Sequence, residues 1–195
     1  MRIACLACSI AICMVLLVMP ESARAGAPGA IGDLYVTSPG TNEVLQLDGT
    51  TGNPVGAFVA ASTGGLDVAT GLAFGPNGNL FVSNWVDNFG SPTFLPEAVE
   101  FDGSDGSVAQ IYQSFEVCVW RPHALAIDST SKVYLSSRNA PWQHIYAYDG
   151  ATGACDSPSI DAPFASTADI SDGIEFGVGR NVRLCWLWWP RHPRR

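Results

Sequence analysis

The sequence predicts an all-β fold: a partial β-propeller of about three four-stranded blades and the start of a fourth. Two observations carry this expectation. A strand–turn–strand phrase recurs as Gly71-Leu-Ala-Phe-Gly-Pro-Asn-Gly-Asn-Leu-Phe-Val-Ser83 and as Ala124-Leu-Ala-Ile-Asp-Ser-Thr-Ser-Lys-Val-Tyr-Leu-Ser136, with a shorter copy at Gly32-Asp-Leu-Tyr-Val-Thr-Ser38. A strand closing in an Asp-Gly turn also recurs, as 44–52, 98–106 and 145–153. The turn residues Asp48, Asp102 and Asp149 are 54 and 47 positions apart, and Leu34, Leu80 and Val133 are 46 and 53 apart. A period near 40–50 residues that holds four short strands is the sequence pattern of a propeller blade.

Each element has a local reason. In Leu80-Phe-Val-Ser83 and Val133-Tyr-Leu-Ser136 nearly every residue is apolar, as expected of an inner strand covered on both faces. The next strand alternates, with Val99 and Phe101 opposed to Glu100 and Asp102, and Tyr146 and Tyr148 opposed to Ile145 and Ala147. Pro76-Asn-Gly-Asn79 places Asn-Gly between two strands, a strong hairpin signal. In Asp-Gly-x-x-Gly, both glycines are expected to supply positive φ and the Asp side chain to cap the turn. A calcium loop is the competing reading, suggested by Asp102 and Asp105. The other two copies lack the second carboxylate, and no copy ends in the Glu such loops use.

These motifs resemble those of NHL-repeat and gluconolactonase (senescence-marker)-like β-propellers of secreted bacterial type, here apparently truncated. Asn42-Glu-Val-Leu-Gln-Leu-Asp-Gly-Thr-Thr-Gly52 carries the likeness most closely, and Pro122-His-Ala-Leu-Ala-Ile-Asp128 matches a blade start loosely. The resemblance covers about residues 31–180. It implies the fold, and it names no substrate.

The two ends differ from the repeat. Residues 1–25 read as a signal peptide: Arg2, an apolar run from Ile3 to Met19, Pro20, then Ala23-Arg-Ala25 as a small-x-small cleavage site. An uncleaved anchor is the alternative. The expected localisation is secreted or periplasmic. Removal of the leader takes away Cys5, Cys8 and Cys13, which leaves Cys118, Cys155 and Cys185. In an oxidising compartment Cys118–Cys155 is an expected disulfide. Residues 26–180 are the propeller segment. Residues 181–195 hold four Arg and three Trp with no Gly and no acid, so either a shifted reading frame or a basic Trp-rich tail begins there.

Residues 26–180 carry 17 Asp and Glu against 4 Arg and Lys, a net of −13. So acidic a segment argues against nucleic acid or anionic lipid as a partner. No nucleophile-elbow, metalloprotease, phosphate-loop or dinucleotide motif appears. Blade geometry gathers the longer connections on one face, and loops on a rigid scaffold are where function concentrates. That reasoning selects Trp85, Asp87, Asn88, Arg121, His123, Arg138, Asn139 and Trp142 for a carbohydrate or protein ligand. No catalytic residue is assigned, and enzymatic activity is left open: binding is favoured, and the alternatives are a divalent-metal-dependent lactonase- or lyase-like enzyme or a non-functional truncated copy. The lactonase-like relatives use Glu, Asn and Asp around a central divalent ion. The resemblance offers only Glu175, Asn84 and Asp172 for that role, with Glu175 expected to be crowded near the axis. Three blades and a stub cannot close a ring of about six, so a curved partial propeller is expected that is either marginally stable or paired with another copy through its open edge.

Overall fold

The computed structural model describes residues 32–85, 97–113, 121–137, 144–156, 163–166, 173–176 and the backbone of 182–185. The expected leader lies outside them. Among the described residues thirteen strands form four sheets, and within each sheet successive strands pair antiparallel. The first blade is β1 (Leu34–Ser38), β2 (Glu43–Leu47) and β3 (Pro54–Val59). The second is β4 (Ala69–Phe74), β5 (Leu80–Asn84), β6 (Ala98–Phe101) and β7 (Val108–Tyr112). The third is β8 (Pro122–Ile127), β9 (Val133–Ser137), β10 (His144–Tyr148) and β11 (Ala165–Ser166). The fourth is β12 (Gly173–Phe176) paired with β13 (Val182–Cys185). A short 3-10 turn, Thr63–Gly65, leads into the second blade.

The core lies between blades rather than within one. Leu80 and Val82 of β5, with Val99 and Phe101 of β6, face back onto Val44, Phe58 and Val59 of the first blade. Phe81, Ala98 and Tyr112 face forward onto Val133, Leu135, Tyr146 and Tyr148 of the third. Ala126, Tyr134, Ile145 and Ala147 face forward again, onto Ile174 of the fourth. The period-2 alternation of a strand therefore divides each blade between two neighbours, and this is why β5 and β9 are apolar at nearly every position. Burial of such side chains stabilises by about 1.5–3 kcal/mol each.

The Asp-Gly-x-x-Gly segments are hairpin turns, as expected, but their two glycines act differently. Gly52, Gly106 and Gly153 adopt φ of 72°, 73° and 71°, and each donates its N–H to the carbonyl of the turn aspartate. The first glycine of each turn is not on that positive side. A Cβ on Gly49, Gly103 or Gly150 would lie 1.6, 1.9 or 1.9 Å from the carbonyl oxygen of Gly32, Gly78 or Ser131. The first glycine is thus required by close approach to the neighbouring hairpin of its own blade, and only the second by backbone conformation. The Asp48 Oδ1 accepts the amides of Thr50 and Thr51 at 3.0 and 2.7 Å, and Asp149 accepts those of Ala151 and Thr152 at 3.0 and 2.8 Å. Asp105 accepts Ser107 N–H at 2.9 Å, a turn contact of the same kind.

A repeated hydroxyl joins the inner strands. Thr37, Ser83 and Ser136 occupy equivalent places near the ends of β1, β5 and β9. Thr37 Oγ1 donates to Thr70 O at 2.8 Å, from the first blade to the second. Ser83 Oγ donates to His123 O at 2.8 Å, from the second to the third, and accepts Gly71 N–H at 2.8 Å. Ser136 Oγ accepts Ala124 N–H at 3.0 Å. These amides lie where the register slips, between Ala69 and Leu72 in β4 and between Pro122 and Leu125 in β8. A bulge frees an N–H from the ladder, and the hydroxyl satisfies it.

Candidate functional site

The loop side of the second and third blades brings three of the sequence-selected residues together. Trp85 follows β5 directly and is held by its own N–H on Val68 O at 2.8 Å. Arg121 precedes β8 with φ of 56°, a left-handed conformation uncommon for a residue with a side chain. His123 sits in the β8 bulge, its carbonyl fixed by Ser83. The Arg121 guanidinium carbon lies 5.2 Å from the Trp85 ring centroid, within cation–π range. The His123 ring meets Trp85 edge-on, with centroids 6.4 Å apart and planes at 70°. Thr70 Oγ1 reaches Pro122 O at 3.2 Å, which ties the β4 bulge to the start of β8 beneath this cluster. The result is an indole with one fixed cation and one imidazole beside it. Such a group offers a flat apolar surface with a positive charge fixed beside it. Asp87, Asn88, Arg138, Asn139 and Trp142 lie outside the described residues.

The metal candidates do not converge among the described residues. Asn84 is fully buried, and its Oδ1 accepts Asp67 N–H at 2.8 Å and Val68 N–H at 3.1 Å. Its Nδ2 donates to Gly65 O at 3.1 Å. A carbonyl oxygen that faces two N–H donors is in the wrong field for a cation, so Asn84 holds the loop into β4. Glu175 is exposed on β12, not crowded as expected. Its register equivalents Ala73 and Ala126 pack forward onto the next blade, and no described blade lies forward of β12. Asp172 lies outside the described residues. Among those residues no three His, Cys, Asp or Glu side chains form a metal-holding group. Cys155 is disulfide-bonded, while its expected partner Cys118 lies outside the described residues.

Sequence reasoning missed a buried carboxylate. Glu100 is 5% exposed, and its Oε1 accepts Asn77 Nδ2 at 2.8 Å and Asn79 Nδ2 at 2.7 Å. Its Oε2 accepts the Tyr112 hydroxyl at 2.8 Å. Burial, and then the Glu100 hydrogen bond and charge, push the Tyr112 phenol well above its usual range. The Tyr148 hydroxyl donates in the same way to Glu97 across the gap between blades, and burial followed by the Glu97 charge raises it too. With three donors on Glu100, the cluster is a satisfied joint rather than a reactive site. The signal was present: Asn77 and Asn79 flank Gly78 in the hairpin, and Glu100 stands in the strand beside it.

The sequence matches no protein-family model and no curated protein. Among solved structures it is similar to the hydrazine synthase of Kuenenia stuttgartiensis, at 15% identity with a TM-score of 0.53 over 77% of this chain. It is also similar to a gluconolactonase of Xanthomonas campestris, at 21% identity with a TM-score of 0.46 over 69% of this chain. This chain spans 37% of the length of each of those chains. Identities this low speak to fold and not to activity. Cores that lie between successive sheets, four antiparallel sheets in tandem and the likeness to the hydrazine synthase agree, and the chain folds as a partial β-propeller.

Proposed function

We propose that the protein is an exported binding module, not an enzyme, that engages a carbohydrate or protein ligand through the loop side of its second and third blades. One observation carries this reading: the Arg121–Trp85–His123 cluster, in which a guanidinium stacks 5.2 Å from an indole at the rim of a rigid sheet pair. An indole face suits the apolar side of a sugar ring or a peptide side chain. The guanidinium supplies paired N–H donors for carboxylate or hydroxyl oxygens. Export follows from the reading of residues 1–25 as a leader, and the acidic segment 26–180 makes nucleic acid an unfit partner.

The test is a glycan and peptide array probed with the exported chain, followed by titration of the best ligand. Trp85→Ala is expected to weaken binding at least tenfold with the unfolding midpoint unchanged. Binding indifferent to Trp85→Ala and Arg121→Ala would refute the reading. A stoichiometric divalent ion in the purified protein, lost on Glu175→Ala, would instead support a metal-dependent lactonase- or lyase-like enzyme.

A further inference from the structure

The hairpin between β4 and β5 carries a reactive amide at the rim of a buried joint. Asn-Gly occurs once in the chain, at Asn77-Gly78. Asparagine is thermally labile, and a following glycine makes it more so, because the next backbone nitrogen has no side chain to hinder its attack on the amide. Every other described asparagine precedes a bulkier residue: Glu43 after Asn42, Pro54 after Asn53, Leu80 after Asn79 and Trp85 after Asn84.

The local geometry favours that attack. Asn77 is exposed. Its Oδ1 accepts the Asn79 N–H at 3.2 Å, an Asx turn that lays the side-chain amide along the intervening Asn77–Gly78 peptide. The same N–H stands where negative charge gathers on Oδ1 when a nucleophile adds to Cγ. Gly78 has φ of 82°, and a Cβ there would meet nothing within 4 Å, so water reaches this side of the turn freely. One bond opposes the reaction: Gly78 N–H donates to Gly75 O at 3.0 Å and must first be released. Turn tips are where such local opening costs least.

The position matters because of what Asn77 holds. Its Nδ2 donates to Glu100 Oε1 at 2.8 Å, and Glu100 is 5% exposed. Asn79 Nδ2 and the Tyr112 hydroxyl complete the set at 2.7 and 2.8 Å. The same hydroxyl lies 3.2 Å from Gly150 O in the third blade, so the cluster spans the seam between blades. Glu100 is satisfied, and the vulnerable member is the exposed amide that helps to satisfy it.

We propose that Asn77 is a site of spontaneous deamidation, and that the reaction unlatches the seam between the second and third blades. The Gly78 nitrogen gives up its proton and adds to Asn77 Cγ. The bond from Cγ to Nδ2 breaks, ammonia leaves and a cyclic imide remains. Water then opens the imide at either carbonyl, to give aspartate or isoaspartate. One water is consumed and one ammonia released, with no change of oxidation state. Aspartate puts a carboxylate oxygen where the donor to Glu100 stood. A hydrogen bond is lost and a like charge gained beside a buried carboxylate, and both act against the joint. Isoaspartate removes the donor too, and it lengthens the turn by one backbone atom against the register that β4 and β5 share.

The experiment holds the purified full chain in warm, mildly alkaline buffer, which favours loss of the Gly78 proton, beside a short Asn-Gly peptide as a clock. Peptide mapping by mass spectrometry is expected to find aspartate and isoaspartate at position 77, and no conversion there in Asn77→Gln. The urea midpoint of the aged protein is expected to fall as the modified fraction rises. Asn77→Asp should show the loss without ageing, and a smaller loss when Glu100→Gln is also present, because no like charge then faces it. A position 77 still intact after the clock peptide has reacted overturns the proposal. An aged protein or an Asn77→Asp variant with the midpoint of fresh protein overturns it as well, and both readings stand even if Glu100→Gln fails to fold. Trp85 follows the opposite end of β5 from this hairpin, so ligand binding is read separately and failure of one proposal leaves the other standing.

Discussion

Ser83→Ala isolates the joint between the second and third blades. The substitution removes one oxygen and almost no volume, so cavity formation contributes little. What is lost is bonding at a fully buried place. Ser83 Oγ accepts Gly71 N–H at 2.8 Å and donates to His123 O at 2.8 Å. The nearby Thr70 Oγ1, at 3.0 Å, already reaches toward Ser83 O and Pro122 O. The Gly71 amide has left the ladder at the bulge, so it loses its acceptor outright, at about 1–3 kcal/mol. The His123 carbonyl loses its Ser83 donor and costs less, because an under-satisfied carbonyl is better tolerated than an orphaned N–H. The expected total is about 2–3 kcal/mol. With a urea slope of about 2 kcal/mol per molar, the midpoint should fall by roughly 1–1.5 M. Urea unfolding followed by Trp fluorescence measures this, and hydrogen exchange should rise in β4 and β8 together. A loss below about 0.5 kcal/mol, or exchange that rises in β4 alone, would refute the clasp. His123→Ala is the control, because the clasp uses its carbonyl and not its ring.

Other outcomes follow from the turns and hairpins. Asp48 is held below the usual carboxylate range by the Thr51 amide and hydroxyl, Asp102 by the Ser104 hydroxyl and amide, and Asp149 by the Thr152 hydroxyl and amide. A lowered folded-state value stabilises above the unfolded value near pH 4, and that contribution is lost as pH falls through the folded value. Stability measured from pH 5 down to 2 should therefore decline, and Asp→Asn at all three turns should flatten that part of the slope. Ser131 has φ of 68° where the preceding hairpin has Gly78 at 82°, so Ser131→Gly should raise stability by about 0.5 kcal/mol and Gly78→Ala should lower it by about 1, both read by urea midpoints. Gly103→Ala drives a Cβ into Gly78 O and should cost about 1–3 kcal/mol, more than Gly52→Ala, whose Cβ meets nothing within 4 Å. Equal losses at the two glycines would contradict the distinct roles given to them.

Much of this molecule was legible in the chain because a blade repeats its local rules. Alternation at Val99–Phe101 and Tyr146–Tyr148 named the faces correctly, and the Asp-Gly spacing named the turns. Alternation says which residues share a face but not what covers it. Glu100 was therefore placed only on the face opposite Val99 and Phe101, whereas the structure buries it against Tyr112. The Thr37–Ser83–Ser136 column went unread, because a hydroxyl that satisfies a bulge has no signature apart from the register slip it repairs. Gly49, Gly103 and Gly150 read as conformational glycines, because close approach between two hairpins is a distance no single segment contains. At the loop face, blade topology was enough to join Trp85, Arg121 and His123 across 36 to 38 positions of sequence. Asn84 was assigned by analogy to a metal, and its geometry gives it to a loop.

The clasp between inner strands asks for one hydroxyl from one repeat and only a main-chain carbonyl from the next. Thr70 and His123 differ in every side-chain property, yet both accept through the same backbone atom. A joint of that kind places no demand on its neighbour's side chains at the clasp itself, so the matching between blades is left to the apolar positions that pack across the seam. Gene duplication or loss of a whole repeat then has that packing to preserve, and no paired hydrogen-bonding side chains.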